Sequence, residues 1–246
     1  MFLEAIAASV LVSLVSLVGV LLLSLRKETL DSMVFYILSF ATGSLLGAAF
    51  LDLLPEAIDG IDARTVLPFT LGGVVLFFIM ERFVHWHHEH HDHSEHEKPV
   101  AYLVLLGDGM HNFFDGVSIA ASFAASPAVG VATTLAIILH EIPQELSDFT
   151  LLLYAGFSKK KAIIFNLLSG LVAVLGALAF FYLASYIEHL EAYGLALAAG
   201  GFIYIAGSDI IPELHKEKIW HRTALQLVAI LAGIATIWLL SAYLGV

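Results

Sequence analysis

Hydrophobic residues are grouped along this chain in long runs, and short polar segments separate the runs. Most runs have the length of about 20 residues that a helix needs to cross a bilayer, and they do not alternate as the strands of a membrane barrel would. Their approximate bounds are 2–25, 33–54, 66–84, 100–124, 128–156, 161–187, 193–213 and 224–245. The pattern predicts an all-α integral membrane protein with eight transmembrane helices, forming one domain over residues 1–246.

The composition agrees with this prediction and excludes several other classes of protein. Charged residues make up 13% of the chain, against about 25% in average soluble domains. No cysteine is present, which excludes a disulfide framework, a thiolate metal site and a cysteine nucleophile. The net charge of −11 argues against nucleic acid as a partner. We expect the lipid bilayer as the surrounding medium and no prosthetic group.

Lysine and arginine are distributed unevenly over the predicted loops. Ten of the eleven lie in the first, third, fifth and seventh loops, and only Arg64 lies in an even-numbered loop. Basic residues are enriched in cytoplasmic loops, so we expect both termini to lie outside. The first run carries Glu4 and no basic segment before it, so we interpret it as a permanent span rather than a signal peptide. Short loops and no targeting sequence indicate the plasma membrane.

A five-residue motif occurs near the end of two spans. Asp52-Leu53-Leu54-Pro55-Glu56 ends span 2, and Asp209-Ile210-Ile211-Pro212-Glu213 ends span 7, each preceded at the same offset by a glycine. Because these spans run in opposite directions, we interpret spans 1–3 and 6–8 as an inverted repeat around the central spans 4–5, as is common in secondary transporters. The alternative is that the motif merely ends two helices.

The third loop, over residues 85–98, has a composition of its own. It contains seven histidines and four acidic residues within residues 85–97. The histidines are His85, His87, His88, His90, His91, His93 and His96. Their spacing is too irregular for one fixed site, and the composition is typical of labile metal binding. We expect a flexible cytoplasmic loop that collects metal, and the alternative is a solvated linker.

Spans 4 and 5 carry polar residues that would lie inside the bilayer, where each ionisable group costs about 2.5–3.5 kcal/mol or more. The ionisable ones are Asp108, His111, Asp115, His140, Glu141, Glu145 and Asp148, with the amides Asn112 and Gln144 beside them. Helical spacing places them on one polar stripe of each span. Facing stripes would collect nitrogen and oxygen donors in one cavity, a mixture that suits Zn²⁺, Fe²⁺, Mn²⁺, Co²⁺ or Cd²⁺.

At these positions the chain resembles the ZIP (Zrt/Irt-like) family of divalent-metal transporters. The motifs are His111-Asn112-x-x-Asp115-Gly116 and His140-Glu141-x-Pro143-Gln144-Glu145. The resemblance implies a transport site between spans 4 and 5, whose metal ligands would be His111, Asn112, Asp115, His140, Glu141 and Gln144. Asp108, Glu145 and Asp148 would be pathway or secondary residues. A homodimer is also implied.

The chain departs from the family pattern at two places. Many relatives carry a carboxylate or histidine at the position of Gln144, and some carry an acid after the pair that corresponds to Ser169-Gly170, where this chain has none. We therefore expect one principal metal ion rather than two.

These observations predict transport of a divalent transition metal toward the cytoplasm. Zinc is the simplest substrate, and Fe²⁺, Mn²⁺ and Cd²⁺ are alternative substrates that the sequence does not distinguish from it. No residue is assigned a catalytic role. One alternative is an intramembrane hydrolase in which His111 and His140 hold a catalytic zinc ion, although Gln144 breaks the H-E-x-x-H pattern of such enzymes. The other alternative is a membrane-bound metal sensor that receives its metal through the His-rich loop.

Overall fold

The computed structural model describes residues 1–18, 27–89 and 98–244, and all regular secondary structure in this part of the chain is helical. We number the helices α1 to α8. Their bounds are α1 Phe2–Leu17, α2 from Lys27 to Gly60, α3 Ala63–Glu89, α4 Lys98–Ala125, α5 Pro127–Tyr154, α6 Lys159–Ala184, α7 Leu190–Leu214 and α8 Trp220–Leu244. The prediction of an all-helical protein is confirmed for these residues.

Five helices of the described chain, namely α2, α3, α6, α7 and α8, are long and apolar enough to cross a membrane. Helix α1 is apolar but shorter. Helices α4 and α5 are 28 residues long, and they are less apolar because they carry the two predicted polar stripes. Each of the eight predicted runs overlaps one of these helices.

The central helices begin where the sequence supplies a cap. Ser126 precedes α5, and its hydroxyl accepts a hydrogen bond from the backbone N–H of Val129 at 3.2 Å. Pro127 follows at the first helical position, where its missing N–H costs nothing. The hydroxyl of Ser158 accepts from the N–H of Lys161 in the same way at the start of α6. These caps fix the residues at which α5 and α6 begin.

Helices α2 and α8 cross in van der Waals contact through a pair of glycines. A Cβ atom on Gly43 would lie 1.9 Å from the carbonyl oxygen of Ile230, and one on Gly233 would lie 2.2 Å from that of Phe40. Helices α3 and α7 repeat the arrangement with Gly73 and Gly200. Only glycine permits such an approach of two backbones, which is a common means of packing helices in membranes.

Both copies of the D-x-x-P-E motif adopt the same local structure. A π-helical turn covers Ala48–Leu53 in α2, and another covers Ile205–Ile210 in α7. In each copy the proline follows as the second residue of the next α-helical segment. Proline cannot donate to the carbonyl four residues earlier, and a widened turn is one way for a helix to accommodate this loss.

The predicted His-rich loop is shorter than expected at its beginning. Helix α3 continues through Glu89, and Lys98 already belongs to α4. His85, His87 and His88 therefore belong to the last turns of α3, where only the backbone is described. The other four predicted tract residues, His90, His91, His93 and His96, lie outside the described residues.

Candidate metal centre

Four side chains from α4 and α5 converge on one point in the interior. The Nε2 atoms of His111 and His140 lie 3.1 Å apart. The Oε1 atom of Glu141 lies 3.4 Å from each of these nitrogens, and the Oδ2 atom of Asp115 lies 3.6 Å from Nε2 of His140 and 3.9 Å from that of His111. The two helices thus bring together two imidazoles and two carboxylates that belong to two separate segments of the sequence.

The separations match those of a four-coordinate metal site. Zinc binds imidazole nitrogen and carboxylate oxygen at about 2.0–2.2 Å, so neighbouring ligands of a tetrahedral ion lie about 3.3–3.5 Å apart. One potential ligand atom from each of the four residues lies within 4.8 Å of the others. Only small shifts of the side chains are needed to bind an ion between them.

The orientation of His140 is set by the groups around its ring. Its Nδ1 atom lies 3.2 Å from the carbonyl oxygen of Ala136, so Nδ1–H donates there and Nε2 keeps its lone pair toward the centre. The ring of Phe202 from α7 meets the His140 ring edge-on, and Phe77 from α3 meets His111 in the same manner. These aromatic rings exclude water from one wall of the site.

Within the described residues, no lysine or arginine forms an ion pair with the carboxylates of the centre. Asp115 and Glu141 are each 1% exposed, and Oδ2 of the first and Oε1 of the second lack a hydrogen-bond partner. Burying an unpaired carboxylate is costly, and a divalent cation bound at this point would remove that cost.

The two predicted amide ligands are placed differently. The Nδ2 group of Asn112 donates to Oδ1 of Asp108 at 2.9 Å, and its own Oδ1 is buried without a partner. Gln144 is half-buried and lines a cavity beside His111 and Asp108. Pro143 lies inside α5, so the carbonyl of Leu139 also lacks its helical N–H donor.

A cavity of about 670 Å³ extends from this centre toward one end of the helix bundle. Its lining comes from the C-terminal halves of α3, α5 and α7 and from the first half of α4. The carboxyl-bearing residues in that lining are Glu81, Asp108, Asp148, Asp209 and Glu213. Toward the opposite end, α4 and α5 continue with fully buried apolar residues, among them Ile119, Ala120 and Ala136. The centre is therefore open on one side only.

One buried polar residue that contacts the polar stripe of α5 was not predicted. Asn166 of α6 is fully buried, and its Nδ2 group donates to Oε2 of Glu145. A lone amide within an apolar run is the only signal that the sequence gives for it, and such amides commonly form interhelical hydrogen bonds. Which helix faces α5 at this depth cannot be deduced from residue spacing.

An all-helical chain with several membrane-crossing helices and a buried His/Asp/Glu centre defines a multi-pass membrane protein that handles a metal ion. The ZIP Zinc transporter family model matches residues 2–100 and 87–241. The chain belongs to this family.

Three curated relatives illustrate the similarity. "Zinc transporter zipt-7.2" of Caenorhabditis elegans is 30% identical over 97% of this chain and 65% of its own length. "Zinc transporter ZIP13" of Pongo abelii is 34% identical over 84% of this chain and 66% of its own length. "Zinc transporter ZIP10" of Danio rerio is 43% identical over 50% of this chain and 15% of its own length. The chain thus spans less than two thirds of each relative.

Proposed function

We propose that this protein carries divalent transition-metal ions, zinc foremost, across the membrane toward the cytoplasm. The observation that supports this most directly is the convergence of His111, Asp115, His140 and Glu141 within 4.8 Å. The family and the names of the relatives agree with transport. They do not favour the alternative of an intramembrane zinc-dependent hydrolase.

The cavity supplies a route for the ion between the centre and one face of the membrane. Its acidic lining lowers the energy of a cation along the path and raises its local concentration. The cavity lies at the end of the bundle where α4 begins at Lys98 and where α5 is followed by Lys159. Because basic residues favour the cytoplasmic side, this position of the cavity supports an inward-facing state, from which metal would be released into the cell.

The proposal includes the finer topology. All eight helices would cross the membrane, spans 1–3 and 6–8 would form an inverted repeat, and both termini would lie outside the plasma membrane. The matching π turns and the matching glycine crossings support the repeat. The metal ligands would be His111, Asn112, Asp115, His140, Glu141 and Gln144, with one principal ion in this centre. A homodimer remains part of the proposal through the family resemblance.

Uptake into proteoliposomes tests the transport function. The purified full chain is reconstituted, and accumulation of Zn²⁺, Fe²⁺, Mn²⁺ and Cd²⁺ is followed with a metal-sensitive dye inside the vesicles. We expect saturable Zn²⁺ uptake, and we expect the variant with His140→Ala and Glu141→Ala to reduce it to the level of empty vesicles. His221→Ala is the matched control, because this histidine is exposed on α8, which contributes no residue to the centre or to the lining of the cavity. Uptake by the double variant at the control rate would refute the assignment.

A further inference from the structure

A groove of about 490 Å³ lies between α4 and α6, on the outer surface of the helix bundle. Its rim is formed by Leu106 of α4 and Leu168 of α6, which are 52% and 55% exposed. The rest of the lining is apolar apart from Ser169. The groove therefore differs in chemistry from the cavity of the metal centre, which is lined by carboxyl groups.

The bottom of the groove is formed where α4 and α6 approach each other most closely. Ser169 is 6% exposed, and its hydroxyl donates to the backbone carbonyl of Leu105 at 3.0 Å. A Cβ atom on Gly109 would lie 3.3 Å from Oγ of Ser169, so the glycine lets the two helices pack together there. Because the serine hydroxyl already has a partner, the groove offers a ligand contacts with hydrocarbon only.

The groove follows one face of α6 and leads to a lysine. Lys161, Phe165, Leu168 and Val172 are three or four residues apart, so they share a helix face. The eleven residues from Lys161 to Val172 correspond to about 16 Å along a helix. Half of the hydrocarbon core of a bilayer measures about 15 Å. The lysine and the groove together thus have the length of one leaflet.

The charged end of this face carries three consecutive lysines, Lys159, Lys160 and Lys161, which form the first turn of α6. The Nζ atom of Lys161 lies 4.0 Å from the centroid of the Phe157 ring and 5.4 Å from that of Phe165, and Phe165 also lines the groove. Lys159 and Lys160 are exposed, and the ion pairs of the described chain do not include them. Positive charges in the first turn oppose the helix dipole, so these lysines do not serve to stabilise α6.

We propose that the groove and the lysines at the start of α6 bind a phospholipid with an anionic headgroup, whose acyl chain lies between α4 and α6. Ammonium groups are complementary to a phosphate diester, and basic residues at the membrane face recognise anionic lipids. A free anion could use the lysines but not the apolar groove. The occupant that matches both parts is therefore a lipid.

This lipid would also contact a wall of the ion cavity. Met110 lines both the groove and the cavity that extends from the metal centre, and it directly precedes His111 in the sequence. An acyl chain in the groove would pack against this side chain from the outside. Binding of the lipid does not depend on the proposed transport function, and it is measured without metal.

Lipid retention by the full chain tests the site. The purified protein in detergent is incubated with dioleoyl phosphatidylglycerol or dioleoyl phosphatidylcholine, which have the same acyl chains, and bound lipid is measured by native mass spectrometry. We expect phosphatidylglycerol to be retained at a concentration at least about tenfold lower than phosphatidylcholine requires. Inorganic phosphate at the concentration of the lipid should not displace it, because phosphate has no acyl chain.

Replacement of two lysines tests the contact with the headgroup. The variant with Lys160→Gln and Lys161→Gln should weaken retention of phosphatidylglycerol at least about tenfold, and arginine at both positions should restore it, because arginine keeps the charge. Lys216→Gln with Lys218→Gln is the matched control, since these lysines are exposed at the same end of the bundle and lie outside the groove. An equal loss in both glutamine variants would overturn the site, because surface charge alone would then explain it.

A bulky side chain at the rim tests the contact with the acyl chain. Leu106→Trp should cover the groove, and it should reduce both the retention of phosphatidylglycerol and the rise in melting temperature that a bound lipid produces. Leu175→Trp is the matched control, because Leu175 is 57% exposed on α6 outside the groove. Melting temperatures without added lipid verify that both variants fold. Unchanged retention in Leu106→Trp, or equal retention of the two lipids by the parent chain, overturns the proposal.

Discussion

His140 and Glu141 are neighbours in the sequence, yet both reach the same point between α4 and α5. Consecutive residues of a helix point about 100° apart, so they stand on either side of the line where α5 faces α4. The His140 imidazole and the Glu141 side chain are both directed toward that line, so Nε2 of His140 lies 3.4 Å from Oε1 of Glu141. On α4, His111 and Asp115 lie one above the other, because residues four apart share a helix face.

Gln144 offers a test of how much the charge of the centre limits binding. Gln144→Glu adds a negative charge beside His111 and Asp108, so we expect zinc to bind about tenfold more tightly, which corresponds to about 1.4 kcal/mol, and to be released more slowly. The measurement is a zinc titration of the full chain in which the seven histidines of the His-rich tract are replaced by serine, because the tract itself is expected to bind metal. Gln144→Ala should not tighten binding, and an equal gain in both variants would show that shape, not charge, is responsible.

At the scale of the helices, the alternation of apolar runs with short polar segments predicts the positions of the helices well. The run 100–124 corresponds to Lys98–Ala125, and the run 128–156 corresponds to Pro127–Tyr154. The π turns were not predicted, because their altered hydrogen bonding depends on the packing of neighbouring helices. Residue spacing predicted the polar stripes of α4 and α5, because each stripe depends on one helix alone. Asn166 on α6 could not be identified in this way, because its position opposite α5 depends on how the helices pack.

The crossing of α4 and α6 gives a prediction about stability. A Cβ atom on Gly116 would lie 1.8 Å from the carbonyl oxygen of Ala173, whereas one on Gly207 would meet nothing within 4 Å. Gly116→Ala should destabilise the protein by about 1–3 kcal/mol through overpacking, and Gly207→Ala should be neutral or slightly stabilising. Thermal unfolding in detergent measures both. Equal melting temperatures for the two variants would contradict the close approach.

The start of α8 is stabilised by an acidic side chain, which gives a prediction about pH. Backbone N–H groups of Ile219 and Lys218 and the Arg222 guanidinium donate to Glu217 at 2.9–3.0 Å, and they lower the pKa of its carboxyl, the bond from Ile219 foremost. A lowered pKa means that the carboxylate contributes stability at neutral pH. That contribution is lost as the pH falls through the lowered value.

Hydrogen exchange at neutral pH measures this contribution. Glu217→Ala should speed the exchange of the backbone amides of Lys218 and Ile219, because their acceptor is removed. Glu188→Ala, which changes an exposed acidic residue between α6 and α7, should leave them unchanged. If the two variants exchange at the same rate, the carboxylate does not hold the start of α8.

At the scale of the whole molecule, the pairing of helices follows the proposed repeat. If spans 1–3 and 6–8 are related by inversion, span 2 corresponds to span 7 and span 3 to span 8, so the pair α2–α8 corresponds to the pair α7–α3. Both pairs cross through reciprocal glycines. The two copies of the motif nevertheless have different surroundings, since Asp52 accepts a hydrogen bond from the Ser241 hydroxyl and Asp209 lines the cavity.

Because the chain contains no cysteine, single introduced cysteines can report its topology. Asp59→Cys lies at an exposed position in the last turn of α2, and Ser185→Cys lies at an exposed position directly after α6. Lys160→Cys and Lys216→Cys lie at exposed positions near the other end of the bundle. Eight spans with outward termini require the first two to react with an impermeant maleimide in intact cells. The last two should react only after the membrane is permeabilised. Labelling of Lys160→Cys and Lys216→Cys from opposite sides would mean that α6 and α7 do not both cross, and would remove the inverted repeat.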